Sequence, residues 1–246
     1  ICMPGNADND AFDVARAVKA EFPDIHCVVL TPFSHGITKR IQNEDLSIFD
    51  YVFCWLGNTN LILSIIKLME DKMNIDNDIH EVGVQMILLV EDSIRFYSSI
   101  LPNLYSYILT QSQNFATEAL TRHEASLRQR GRPKVVLART YEEAWDIYQR
   151  YKDNCLGVIS DVRFPINNVE DKGSSATEGN IPVAEKDPEA GLKLLRAIRK
   201  EDEYLPLIIE SSESENREKA EAEGFCFVDK NSKKMSVDLR RLLEEH

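Results

Sequence analysis

The chain alternates short, unbroken apolar runs with longer segments whose apolar positions recur every three or four residues. An unbroken run of about five residues suits a strand buried on both faces of a parallel sheet, and the longer period suits a helix lying against it. Met86-Ile-Leu-Leu-Val90 is the clearest such run, and Val135–Ala138, Leu156–Ser160, Leu207–Ile209 and Phe225–Val228 predict four more strands. Helical periodicity covers 141–152, 189–200, 214–223 and 236–245, with Gly224 where a helix end wants a left-handed residue. Strands and helices in this alternation predict an α/β fold: a flavodoxin-like, doubly wound parallel sheet of five strands, binding its ligands at the strands' carboxyl ends.

A shorter stretch at the start repeats the pattern. Asp8–Phe22 predicts a helix with an apolar stripe of Phe12, Ala15, Val18 and Phe22. His26–Leu30 and Tyr51–Leu56 predict strands, 37–45 a weak helix and Leu61–Met73 a strongly apolar one. The polar segment 74–83 reads as a linker, dividing the chain into 1–73 and 84–246, with enlarged loops at 111–133 and 166–187. Two strands alone leave exposed edges, which other sequence or a partner must cover. After Ser93, an apolar stripe of Ile94, Tyr97, Ile100, Leu101, Leu104, Tyr105 and Ile108 is interrupted by Pro102, so the helix there is long or broken. Thr117–Arg130 reads as a charged amphipathic extension: a dimerisation or docking helix, or a surface excursion.

Composition narrows the class of protein. A net charge of −12 argues against nucleic acid as the main partner, because phosphate backbones need a clustered basic surface. No apolar run approaches the roughly 20 residues that span a bilayer, so no membrane segment is expected. The opening residues carry no signal-peptide pattern, and the five cysteines show no C-x-x-C spacing. A reducing, cytoplasmic setting without zinc is the expectation.

Candidate chemistry sits at the ends of the predicted strands. Glu91-Asp92 follows the first strand of the second stretch and Asp161 follows the third; in a sheet of this order those strands are neighbours. Three carboxylates that close are costly unless a cation or a proton neutralises one. An oxygen-only cluster without histidine favours Mg²⁺. Ser211 and Lys230, after the fourth and fifth strands, add a hydroxyl and an ammonium. Singly, each reads as a solvated surface group. Together, a carboxylate nucleophile, a metal, a hydroxyl and a lysine are what phosphoryl transfer to aspartate requires.

Leu88-Leu-Val-Glu91-Asp92-Ser93 resembles the acid-pair motif of response-regulator receiver domains, and Asp161-Val-Arg-Phe-Pro165 resembles their Asp-x-x-Met-Pro acceptor motif. Pro206-Leu-Ile-Ile-Glu-Ser211-Ser212 resembles the fourth strand with its switch Ser/Thr, and Phe227-Val-Asp-Lys230 the fifth with its lysine. Gly191–Arg199 is similar to the third helix, so the resemblance covers residues 84–246. It implies that Asp161 accepts a phosphoryl group from a histidine kinase or phosphotransfer protein. Asp92, Asp161 and the backbone carbonyl of Arg163 would hold Mg²⁺, with Glu91 reaching it through water. Ser211 would contact a phosphoryl oxygen and move on activation, while Lys230 anchors the group. Phe227 is either a switch aromatic or a plain core residue. Such a protein is a phosphoacceptor rather than an enzyme with an outside substrate, and a homodimer is left open.

The sequence departs from the family in three places. Asn231 follows the lysine where proline is usual, the 93–134 connection is long, and the 166–187 loop is enlarged, as a solvated insertion or as a lid over Asp161. In the first stretch, Met3-Pro4 with Asp10–Glu21 resembles the acceptor loop and third helix of another receiver. His26–Thr31 and Asp50–Cys54 resemble its last two strands, with Cys54 in place of lysine. Its acceptor would precede Ile1, so a partial, degenerate unit with a structural or regulatory role is expected. Two other readings stand beside the phosphoacceptor. One is a pseudo-receiver that binds proteins without turning over phosphate. The other is a metal-dependent phosphatase, for which no separate substrate pocket or general acid is evident. No output domain follows the last helix, so the output is expected in a partner, an oligomer change or a region outside this chain.

Overall fold

The computed structural model describes residues 1, 11–32, 48–166 and 186–232, together with 235, 237, 238 and 241. Met3-Pro4, the weak helix at 37–45, the bulk of the 166–187 loop and most of the closing helix at 236–245 lie outside the described residues. In chain order the strands are β1 (Val28–Pro32), β2 (Tyr51–Trp55), β3 (Met86–Val90), β4 (Lys134–Ala138), β5 (Cys155–Asp161), β6 (Phe164–Pro165), β7 (Lys186–Asp187), β8 (Leu207–Ser211) and β9 (Cys226–Asp229). The helices are α1 (Ala11–Glu21), α2 (Asn60–Val82), α3 (Ile94–Thr117), α4 (Arg122–Arg130), α5 (Tyr141–Tyr151), α6 (Ala190–Glu201) and α7 (Glu215–Ala222).

β3, β4, β5, β8 and β9 form one parallel sheet in the order β4-β3-β5-β8-β9. The first strand of the unit thus lies between its second and third, the flavodoxin-like doubly wound order. Every residue of β3 is buried. Alternation sends Met86, Leu88 and Val90 into the core shared with α5 and α6. Ile87 and Leu89 enter the opposite core, shared with α2 and α3.

The segment 74–83 is not a linker. α2 runs unbroken to Val82, because Ile75 and Ile79 continue the buried stripe of Leu61, Ile65 and Leu68. Gly83, at φ 71°, ends it in the left-handed conformation. Buried Asp71 ties α2 to the main sheet. It accepts hydrogen bonds from Arg132 at 2.6 and 3.0 Å, the Tyr105 hydroxyl at 2.8 Å and the Val135 N–H at 3.0 Å.

The 111–133 stretch is likewise not an enlarged loop. It comprises the end of α3 and all of α4, and the Thr117–Arg130 extension is broken at Thr121, whose side chain accepts from the Glu124 N–H. Glu124 in turn accepts from the Leu120 N–H at 3.1 Å, one residue before the N-cap, so the two side chains together start a new helix. Pro102 leaves α3 in one piece. An interior proline costs about 3 kcal/mol. The buried side chains of Tyr97, Ile100, Leu101, Leu104 and Tyr105 around it contribute roughly 1.5–3 kcal/mol each, which outweighs that cost.

β1 and β2 form a separate parallel pair backed by α1, with Phe12 edge-on to Phe49 at 5.3 Å. α3 closes the outer edge of β2. The Tyr97 hydroxyl donates to the Val52 carbonyl, and the Cys54 N–H donates to Ser98 Oγ at 2.9 Å. Side chains from α3, beyond the first stretch, therefore satisfy strand-edge groups that the sequence left open. Among the described residues, no helix is long and apolar enough to cross a membrane.

Candidate functional site

Registers across β3, β5, β8 and β9 bring four chemically active strand ends to one edge of the sheet. Val90 pairs with Ser160, Asp161 with Glu210, and Ser211 with Asp229. Glu91, Asp161, Glu210 and Lys230 follow the alternation of Leu89, Ile159, Ile208 and Val228, so they share the α3 side of the sheet. Carboxyl oxygens of Glu91, Asp92 and Asp161 all lie within 4.8 Å of one another. The convergence expected from the strand ends is present.

Lys230 holds the centre of this cluster. Its side chain is 1% exposed, and its Nζ donates to Asp161 Oδ1 at 2.7 Å and to Glu91 Oε2. It also lies over the Phe96 ring, 4.5 Å from the centroid. Burial pulls the ammonium down, but Glu91, Asp161 and Glu210 outweigh it and hold Lys230 above its ordinary value. Burial pushes Glu91 up to about 7, with Lys230 opposing and Asp161 adding to the rise. Glu91 Oε1 also accepts the Ser93 N–H at 2.9 Å.

Asp92 is raised by burial, while an ion pair with Lys186 pulls the other way. The Lys186 Nζ stands 2.6 Å from Asp92 Oδ2. Asp92 Oδ1 is buried without a hydrogen-bond partner. Both oxygens of Glu210 are likewise buried and unpartnered, and burial pushes this carboxyl up to about 8, with Glu91 and Asp161 adding and Lys230 opposing. Carboxyl groups thus outnumber ammonium groups in a largely buried cluster, the condition under which a divalent cation is favoured. The donor set is all oxygen, and an orphaned Asp92 oxygen is available, so these residues fit Mg²⁺.

The other candidate residues are arranged around this centre. Ser211 Oγ accepts from the Glu213 N–H at 3.1 Å and from Asn216 Nδ2 at 2.9 Å, rather than touching the carboxylates. Arg163 lies two residues past Asp161, its guanidinium 2.5 Å from Glu213 Oε1. Phe227 is half-buried against the core, with the Arg217 guanidinium 4.7 Å from its ring centroid. Asn231 links the loops after β8 and β9 through Nδ2 to the Ser212 carbonyl at 2.9 Å.

Three contributors escape sequence reading. Gly191, at the start of α6, meets the end of β5 so closely that a Cβ there would stand 1.9 Å from the Asp161 carbonyl oxygen. Only glycine admits this approach, which fixes the backbone at Asp161 together with Gly191 N–H to the Val162 carbonyl at 3.0 Å. Glu210 carries a weak signal, since period-two alternation from Ile208 sends it inward. Lys186 carries none, lying at the end of a polar loop.

No family model matches the chain, and no curated protein does. Among solved structures, the chain is similar to a response regulator receiver domain protein from Clostridium thermocellum, at 18% identity and a TM-score of 0.39, over 66% of this chain and 93% of that one.

Proposed function

We propose that this protein is a two-component response regulator whose Asp161 accepts a phosphoryl group in a Mg²⁺-dependent reaction and thereby switches a protein-interaction surface. The observation that carries this reading is the convergence of Glu91, Asp92 and Asp161 with a buried lysine bonded to Asp161. The donor is a phosphohistidine of a histidine kinase or phosphotransfer protein. An Asp161 carboxylate oxygen attacks phosphorus, the bond from phosphorus to the donor nitrogen breaks, and its electron pair leaves with the donor. Asp92, Asp161 and the Arg163 carbonyl would hold Mg²⁺, with Glu91 reaching it through water, and the bound ion would supply neutralisation of the phosphoryl oxygens. Lys230 orients the nucleophile through Asp161 Oδ1 and offers its charge to the incoming group. Ser211 accepts two hydrogen bonds, so its own proton remains to be donated to a phosphoryl oxygen.

The Lys186–Asp92 ion pair favours a second reading, a pseudo-receiver in which a lysine permanently stands in for the metal. Intact mass after incubation with acetyl phosphate and Mg²⁺ separates the two. A gain of one phosphoryl group, absent from Asp161→Ala and from metal-free samples, supports the phosphoacceptor. No gain in folded, Mg²⁺-binding protein sinks it in favour of the pseudo-receiver.

A further inference from the structure

We propose that Lys186 is a specificity-determining residue of the acidic pocket: its ammonium competes with the divalent cation for Asp92 and so sets how much metal the protein needs. The inference rests on the metal-dependent reading above and deepens it. Lys186 is delivered by fixed backbone. The antiparallel pair β6–β7 sets Pro165 against Lys186 and Phe164 against Asp187. Asp187 is held in turn by the Glu189 N–H at 2.8 Å and by Lys193 Nζ at 2.6 Å.

The two ends of the ion pair differ in their freedom. The Lys186 side chain is 48% exposed, while that of Asp92 is 13% exposed. The lysine can therefore swing into water, whereas the carboxylate cannot leave the pocket. A divalent ion bound through Asp92 and Asp161 brings a second cation against a carboxylate that already holds one, and the ammonium is the partner with somewhere to go. The metal-competent fraction is then the fraction of molecules with Lys186 swung out, and the apparent affinity is reduced in proportion. An ion pair with its lysine half exposed makes that fraction about one in three to one in six, so removing the ammonium tightens metal binding roughly three- to sixfold.

The test is calorimetric titration of Mg²⁺ into the metal-stripped full chain, comparing the wild type with Lys186→Met, Lys186→Gln, Lys186→Arg and Lys200→Met. Lys200 is an exposed residue at the end of α6, and its loss removes the same charge away from the pocket. The expected result is roughly three- to sixfold tighter binding in both neutral Lys186 variants, near wild-type binding in Lys186→Arg, and no change in Lys200→Met. Equal binding by the wild type and Lys186→Met overturns this inference and leaves the phosphoacceptor reading standing. Equal tightening in Lys200→Met overturns it as a general charge effect. Failure of every variant to bind Mg²⁺ overturns both.

Discussion

Glu210 gives the pocket a pH dependence that can be worked through from its surroundings. Its carboxyl is fully buried, neither oxygen has a partner, and it is pushed from an ordinary 4.5 up to about 8, first by burial and then by Glu91 and Asp161 against the pull of Lys230. Between those two values the folded protein keeps a proton that the unfolded chain has released. Stability therefore falls as pH rises through the window, with slope set by that one proton. At 1.36 kcal/mol per pH unit, the group costs on the order of 3–4 kcal/mol between pH 5 and pH 8. Glu91, pushed up to about 7, has the same sign and steepens the wild-type profile further. Glu210→Gln keeps the shape and removes the titration. Urea unfolding in EDTA, followed by circular dichroism at pH 5, 6, 7 and 8, isolates the effect. The variant should stand near the wild type at pH 5 and gain about 3 kcal/mol on it by pH 8. Two parallel stability profiles would refute the account, because they would mean that Glu210 titrates as it does in the unfolded chain.

Two further changes test how the pocket and its support are built. Gly191→Ala forces a methyl group to within 1.9 Å of the Asp161 carbonyl oxygen, so α6 or the end of β5 must shift. We expect a loss of about 1–3 kcal/mol in unfolding free energy and weaker phosphorylation by intact mass, whereas an unchanged melting temperature would contradict the close approach. Asp71→Asn removes the close counter-charge of buried Arg132 and the more distant of the two carboxylates beside Lys134, which keeps Asp78. Breaking such a buried network costs about 3–5 kcal/mol, a fall in melting temperature on the order of 10 °C, and a fall of under about 2 °C would contradict it.

Most of the main sheet was legible because its strands are nearly pure apolar runs. Met86–Val90 is bounded in the sequence as it is in the structure, and β5, β8 and β9 differ by a residue or two at their ends. The error at 74–83 has a physical cause. Asn-Ile-Asp-Asn-Asp-Ile-His reads as polar, yet its two isoleucines stand four apart and keep the buried face of α2 going. The break at Thr121 had a signal of its own, Thr-x-x-Glu, which the overall charge of the segment obscured. In the sequence, Lys134 looks like a strand boundary before Val135. It starts the strand because Asp78, at 2.6 Å, and Asp71, at 3.7 Å, neutralise it.

The candidate site divides along the same physical line. Glu91, Asp92, Asp161 and Lys230 were readable because each stands within two residues of the end of an apolar run, and topology alone then carries them to one edge. Lys186 was not, because it does not follow a strand-like apolar run whose end would place it. Its place depends on a two-residue ladder with Phe164-Pro165, more than 20 positions away. Glu210 lies between these cases. A carboxylate directly after Leu-Ile-Ile breaks the apolar run, which reads as a strand ending in solvent, yet alternation from Ile208 predicts that it faces inward. The outward reading assumes that a buried carboxyl must be ionised and therefore too costly to bury. Held protonated among other acids, Glu210 avoids that cost, so a lone acid at an inward position of a central strand should be read first as a proton-holding group.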